Sequence, residues 1–292
     1  MAFEKTAVAV GNFDGIHLGH IYLLKTLKGE AFKRNLTPLV VTFDPHPAVV
    51  LKKGKDFCTL STAEEKREII EKQLGLNYEI LPFTEEFSKT APEGFIEKTL
   101  LERFKAQLIL VGYDWHFGRG AKGNANTVYE ICKRRGCEVI QLQPYTIGGK
   151  IVSSSLVRAL LKEALLKPAS LFLGRPYWIR RQVVKGKGLG SKLGVPTLNF
   201  EEVENLCLPN GVYVVCIDGH PAVANLGYSP TIKGQKRTLE VHVLRDFFEV
   251  SDRPKIVFKR YLRPERAFKS VEELLRRIKE DIRHTKETFF ED

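Results

Sequence analysis

Two histidines three residues apart, His17 and His20, close the run Gly11-Asn12-Phe13-Asp14-Gly15-Ile16-His17-Leu18-Gly19-His20. An apolar run, Ala7 to Val10, leads into it, and a helix-period stretch, Ile21 to Leu27, leads out. Strand, glycine turn and helix in that order aim backbone N–H groups and the positive end of a helix at one point, which suits an anion. The spacing puts both imidazoles on one face of the first turn, and Gly19 between them lets a ligand come close. Imidazoles placed so can donate hydrogen bonds to a triphosphate and stabilise charge as pyrophosphate leaves. A hydroxyl run, Ser153-Ser154-Ser155, opens a later helical stretch. Arg158, three residues after Ser155, shares its face, so the two can hold one anion. Neither the Rossmann glycine fingerprint nor the P-loop pattern is present. Two other readings of the histidine pair stay open: a metal site built from Asp14, His17 and His20, and helix histidines that cap or pack.

A second set of residues lies further on. Gly186, Gly188 and Gly190 alternate in a loop whose amides can wrap phosphate. Gly194-Val195-Pro196-Thr197-Leu198-Asn199 follows that loop. In Leu239-Glu240-Val241-His242-Val243, strand alternation puts Glu240 and His242 on one face.

His-x-Gly-His resembles the signature of the nucleotidylyltransferase superfamily. With Gly-x-Phe-Asp-Gly ahead of it, the chain resembles the prokaryotic bifunctional riboflavin kinase/FAD synthetase family. Ser153 to Arg158 is similar to that family's Ser-Ser-Thr/Ser-x-x-Arg motif, and Gly-x-Pro-Thr-x-Asn to its riboflavin kinase motif. The resemblance implies two reactions: ATP-dependent phosphorylation of riboflavin to FMN, and adenylyl transfer from ATP to FMN, giving FAD and pyrophosphate. It implies that His17, His20, Ser155 and Arg158 hold the triphosphate, with Gly11, Phe13, Asp14, Gly19, Ser153 and Ser154 around it. Pro45 and Pro47, in the rigid Asp44-Pro45-His46-Pro47 loop, and Asp114 and Phe117, in Tyr113 to Gly118, are implied to wall the flavin. Thr197 would ligate Mg²⁺ with Asn199 in support, since hydroxyl and amide oxygens are hard ligands. Glu240 would take the proton of the ribityl 5′-hydroxyl. One departure stands out: where relatives carry an Asp-x-Tyr-Gly-like turn after the Glu240 strand, this chain has Phe247 to Pro254.

These residues must be carried on elements, and the pattern of the chain supplies them. Apolar runs at Leu39–Phe43, Tyr78–Leu81, Leu108–Val111 and Glu138–Ile140 alternate with helical stretches, one reaching about Arg34, others over 93–104 and 126–135. Thr62 and Glu65 form a capping-box pattern. Strands separated by helices predict a parallel, Rossmann-like α/β sheet with ligands beyond the carboxyl ends of its strands. A helix over 159–166 ends near Lys167-Pro168, giving expected domains of 1–167 and 168–292. Beyond that link, short alternating runs at 178–184, 211–217, 222–226, 239–244 and 255–261 predict a small antiparallel β-barrel. Ser270 to Thr285 reads as one amphipathic terminal helix.

Composition bounds the rest. The chain has 292 residues, 43% hydrophobic and 28% charged, which fits about two globular domains. No segment reads as a signal peptide or approaches the length of a membrane span. Five cysteines without a Cys-x-x-Cys pair point away from zinc, and a reducing cytoplasm is the expected compartment. The net charge of +11 is split between the two parts and forms no basic tail or helix. It fits anionic small-molecule substrates better than nucleic acid. A monomer is expected. Two further functions remain as alternatives: an adenylyltransferase for another phosphorylated cofactor precursor, and a flavin-sensing, RNA-binding regulator.

Overall fold

The computed structural model describes residues 3–51, 57–186, 194–231, 234–245 and 249–290. Gly188, Gly190 and Phe247, singled out in the sequence, lie outside the described residues. The chain divides into two units, Met1–Ser154 and Ser155–Asp292.

The first unit is an α/β layer structure. Strands β1 (Thr6–Val10), β2 (Thr37–Asp44), β3 (Asn77–Pro82), β4 (Ala106–Gly112) and β5 (Glu138–Leu142) form a five-stranded sheet in the order β3-β2-β1-β4-β5. Every pairing is parallel. β1 is buried along its whole length, which is why it reads as an unbroken apolar run rather than an alternating one. Helix α1 (Leu18–Lys33) buries Leu23, Leu24, Leu27 and Ala31. A short helix, α2 (Pro47–Val50), begins inside the Asp44–Pro47 loop. Helix α3 (Ala63–Arg67) starts at the Thr62–Glu65 capping box anticipated from the spacing. The amphipathic stretch after β3 is helical from Pro92, as α4 (Pro92–Gly94) continuing in π-helical turns over Phe95–Arg103, with Phe95, Ile96 and Leu100 buried. Helix α5 (Ala125–Arg135) is capped by Asn124 and stopped by Gly136 in the left-handed region. A hairpin that periodicity did not reveal, β6 (Thr146–Ile147) and β7 (Lys150–Ile151), turns at Gly148-Gly149. The strand order reverses between β1 and β4, so the crevice at their carboxyl ends is where such a sheet takes a ligand. The glycine–histidine turn leaves β1 there, and Tyr113 to Gly118 leaves β4 there.

Helix α6 (Ser154–Lys162) starts at the last residue of the first unit. Helix α7 (Leu166–Leu173) then leads into the strands of the second. The strands are β8 (Trp178–Arg180), β9 (Val183–Val184), β10 (Leu198–Phe200), β11 (Gly211–Ile217), β12 (His220–Thr231), β13 (Gly234–Val243) and β14 (Lys255–Arg263). They form one antiparallel sheet in the order β8-β14-β11-β12-β13-β10-β9. The two edge strands, β8 and β9, are separated by only Arg181 and Gln182 in the chain. A sheet whose opposite edges are two residues apart in the chain must curl strongly, which gives a half-barrel. The run 178–184, read as one strand from sequence, is therefore the corner of the barrel and supplies both edges.

The terminal helix α8 (Val271–Phe290) extends five residues past the expected end. Two arginines fix this unit. Arg237 on β13 is 7% exposed and donates to Asn210 Oδ1 and to the carbonyls of Val203, Glu204, Leu206 and Leu208, pinning the 203–210 loop. Arg263, at the end of β14, makes a two-pronged ion pair with Asp281 of α8, at 3.1 Å and 2.8 Å.

Candidate active sites

The glycine–histidine turn is built tightly. Its non-glycine residues Phe13 and Ile16 sit at φ 47° and 38°, a region costly for bulky side chains. Both are buried, so the surrounding packing must hold them. His17 is the N-cap of α1: its Nδ1 accepts the His20 N–H at 3.3 Å. An imidazole that accepts at Nδ1 carries its proton on Nε2, so the cap fixes the tautomer and makes Nε2–H a donor. The rings of His17 and His20 stack at 3.7 Å, and Phe13 meets His20 edge-on at 5.3 Å. A Cβ on Gly19 would stand 3.2 Å from the His17 ring and 3.3 Å from the Val152 carbonyl. Gly19 is thus the point where α1, the histidine pair and the segment before α6 touch. A Cβ on Gly11 would stand 3.3 Å from the Phe13 ring.

Asp14 is 2% exposed and turns inward. Its carboxylate accepts the N–H groups of Leu60 and Ser61, each at 3.0 Å, while Gly15 N–H donates to Ser61 Oγ at 2.9 Å. The Asp14 carbonyl accepts the hydroxyl of Ser154, first residue of α6, at 2.8 Å. The carboxylate needed for a metal site with His17 and His20 is therefore committed to backbone amides, and the two rings stack instead of aiming nitrogens at one point. Ser153 directly precedes α6, and Ser155 and Arg158 lie in its first turns.

Beside this turn lies a cavity of about 380 Å³. Asn12 of the turn lines it, together with Pro47, Phe43, Phe83, Phe87, Phe95, Trp115 and Phe117. Trp115 and Phe117 stack at 4.2 Å, and Phe43, Phe83 and Phe87 pack ring to ring, joined to Phe117 through Phe95. Flat aromatic walls of this size suit a flat heteroaromatic ligand. Of the flavin-wall residues expected from sequence, Pro47 and Phe117 line the cavity; Pro45 and Asp114 are not among its lining residues. The Asp114 carbonyl bonds His116 Nδ1 at 2.8 Å. Sequence reading missed Phe83, Phe87 and Phe95, for which the density of phenylalanine over 83–95 was an available signal. It also missed Lys66, which is 3% exposed and donates to the Asn12 carbonyl at 3.1 Å. Burial holds the pKa of Lys66 below the usual lysine range.

The second unit has a cavity of about 560 Å³. Thr197, Glu240 and His242 line one side, and Leu274, Ile278 and Ile282 of α8 line another. β10 pairs with β13 so that Asn199 stands opposite Glu240. Strand pairing thus carries the Pro-Thr-Leu-Asn segment to the glutamate. Asn199 Nδ2 donates to the Thr197 carbonyl at 3.2 Å, which leaves Oδ1 as the acceptor end of the amide. His242 Nδ1 bonds the Pro196 carbonyl at 2.8 Å, a second strut between the two segments. Gly186 packs directly against the Asn199 amide, where any Cβ would collide with it. The Arg263–Asp281 pair forms part of the cavity wall.

With this geometry in view, comparison with known proteins is direct. Residues 1–156 match the FAD synthetase family and residues 173–289 the riboflavin kinase family. The bifunctional riboflavin kinase/FMN adenylyltransferase of Escherichia coli (strain K12) is 32% identical over 98% of this chain and 93% of its own. The Bacillus subtilis (strain 168) protein of the same name is 32% identical over 95% of this chain and 90% of its own. A crystal structure of a macrolide-efflux protein from Streptococcus pneumoniae is similar over 98% of this chain and 95% of that one, with a TM-score of 0.79 and 27% identity. Among the described residues of this chain, no helix is long and apolar enough to cross a membrane. Both halves, in the same order and over nearly the full length, place this chain in the bifunctional riboflavin kinase/FMN adenylyltransferase family.

Proposed function

We propose that this chain makes FAD from riboflavin in two ATP-dependent steps, one at each cavity. The reading is carried by the pairing of chemistry with space. Thr197 and Glu240 line one cavity in the second unit. In the first, the turn that carries the stacked histidines also supplies Asn12 to an aromatic cavity.

In the second unit, Glu240 accepts the proton of the ribityl 5′-hydroxyl as that oxygen attacks the γ-phosphorus of ATP, giving FMN and ADP. Gly186 is read as a phosphate-binding residue, together with Gly188 and Gly190, which lie outside the described residues. The hydroxyl of Thr197 and the amide oxygen of Asn199 fit Mg²⁺, which takes one or two protein oxygens and fills its remaining positions with phosphate and water. When bound, Mg²⁺ supplies charge neutralisation for the ATP phosphates.

In the first unit, the FMN phosphate attacks the α-phosphorus of ATP. The new P–O bond forms as the bond to the β-phosphate oxygen breaks, and pyrophosphate leaves. The attacking phosphate is already anionic, so no base is required, and positioning with charge stabilisation dominates. His17 and His20 donate to the triphosphate. Ser155 and Arg158, on the helix that begins at Ser154, complete the anion clamp. Gly11, Phe13, Asp14, Gly19, Ser153 and Ser154 shape the backbone around it. Pro45, Pro47, Asp114 and Phe117 belong to the loops around the isoalloxazine.

Both steps consume ATP, which supports a cytoplasmic location. Each cavity is lined by residues of one unit, which supports action as a monomer. The test is a time course with the full chain, MgATP and riboflavin, separating flavins by chromatography. FMN that rises first and then converts to FAD is the expected result. Riboflavin left unchanged, together with FMN left unchanged when it is supplied in place of riboflavin, would refute the reading.

A further inference from the structure

A lysine that neither step described above uses sits nearly out of solvent beneath the glycine–histidine turn. Lys66 is 3% exposed. Its Nζ donates to the Asn12 carbonyl at 3.1 Å and to Thr42 Oγ1 at 3.3 Å, and Thr42 Oγ1 itself donates to the Asn12 carbonyl at 3.1 Å. Both acceptors of the ammonium are neutral. The Asp14 and Asp44 carboxylates attract it electrostatically. Helix α3, which carries Lys66, is tied to the turn from its other end as well, because Asp14 accepts the amides of Leu60 and Ser61 just before it.

A buried ammonium held by neutral oxygens is costly, and an apolar side chain of the same length would fill the space at no such cost. The cost has a return at this place. Asn12 lines the aromatic cavity and belongs to the same turn as the histidines. A cation in a low-dielectric setting, behind the backbone where two polyanions must meet, offsets their repulsion far better than a solvated one. Its hydrogen bond to the Asn12 carbonyl also polarises the Asn12–Phe13 peptide, which strengthens the N–H of that peptide as a donor. Thr42 Oγ1 also donates to that carbonyl, so the turn, with its residues in left-handed conformation, keeps one tie when the Lys66 charge is removed.

Building on the adenylyl-transfer reading of this turn, we propose that Lys66 is a positioning residue of FAD formation, whose buried charge supports the turn and the transferring phosphate without touching either substrate. It acts as charge develops at the α-phosphate, so its loss lowers kcat more than it raises KM.

The test compares the full-length wild type with Lys66→Met and Lys66→Arg. Three quantities are read from each: FMN adenylylation kinetics, riboflavin phosphorylation rate and thermal midpoint. For Lys66→Met the expected result is an adenylylation kcat lower by about 10²-fold. KM values for FMN and ATP should stay within about threefold, the kinase rate should be unchanged and the midpoint should not fall. Lys66→Arg should recover at least about tenfold of the lost kcat. A Lys66→Met protein with kcat within about threefold of wild type would overturn the proposal. So would a loss in both variants that tracks a lowered midpoint, since that is the signature of packing alone. A wild-type protein that converts no FMN to FAD would instead overturn the adenylyl-transfer reading on which the role of Lys66 depends, and the two failures are told apart by the wild-type trace.

Discussion

At the residue scale, the two sites differ in what their side chains must do. In the proposed transfer to FMN no proton is removed, so the histidines are read as donors. His17 is held to that task by spending Nδ1 on the α1 cap. His20→Ala should abolish FAD formation while FMN formation continues, as flavin chromatography would register. Phosphorylation of a neutral hydroxyl does need a base, and Glu240→Gln should lower the riboflavin kinase rate by about 10²- to 10⁴-fold, with FAD formation from supplied FMN intact. Asp14 works through the backbone. Its buried carboxylate satisfies the amides of Leu60 and Ser61. Replacement by alanine strands those donors, and a loss of about 2–3 kcal/mol in the stability of the first unit is expected from denaturant unfolding.

Several of these residues were legible in the sequence because their chemistry and their spacing coincide. The His-x-Gly-His turn and the Pro-Thr-Leu-Asn segment are cases in which neighbours in the chain are also neighbours in the site. Lys66 was not legible. In Ala63-Glu64-Glu65-Lys66-Arg67 it reads as one charge on a solvated helix face, and only the landing of α3 against β2 and the turn buries it.

At the element scale, strand pairing and helix docking position what no local motif can. The registry of β10 against β13 brings Asn199 opposite Glu240 across 41 positions of chain. Gly186 meets the Asn199 amide with no room for a Cβ. Gly186→Ala should therefore displace that amide and depress the kinase rate, with FMN adenylylation preserved. Helix α8 walls the larger cavity and is clamped to β14 by the Arg263–Asp281 pair, whose side chains are 11% and 3% exposed. Arg263→Met leaves buried Asp281 with only the longer pair to Arg277, at 3.6 Å, so the loss should fall below the about 3–5 kcal/mol of a fully buried pair broken outright. The expected signature is a raised KM for riboflavin and a lowered midpoint for the second unit. The central strands were readable because burial on both faces makes them continuous apolar runs. The β6–β7 hairpin, with two residues per strand, is too short to show a period. The corner at Arg181-Gln182 joins strands that pair with different partners, so no local pattern divides 178–184. The aromatic cavity is similar: Phe83 and Phe87 lie beyond β3, Phe95 in the following helix and Trp115 beyond β4, and only the parallel order of the sheet gathers them.

At the scale of the whole molecule, the two cavities described above lie one in each unit, beside the residues proposed for the two steps. The product of the second unit is the substrate of the first, so FMN released from one site is a substrate for the other even when the two sites are on separate molecules. The most direct measurement is flavin analysis of His20→Ala and Glu240→Gln proteins, alone and mixed, with riboflavin and MgATP. The prediction is that His20→Ala stops at FMN, Glu240→Gln leaves riboflavin unchanged, and the mixture makes FAD. FAD formed by His20→Ala alone, or FMN formed at the wild-type rate by Glu240→Gln alone, would contradict the division of the two reactions between these sites.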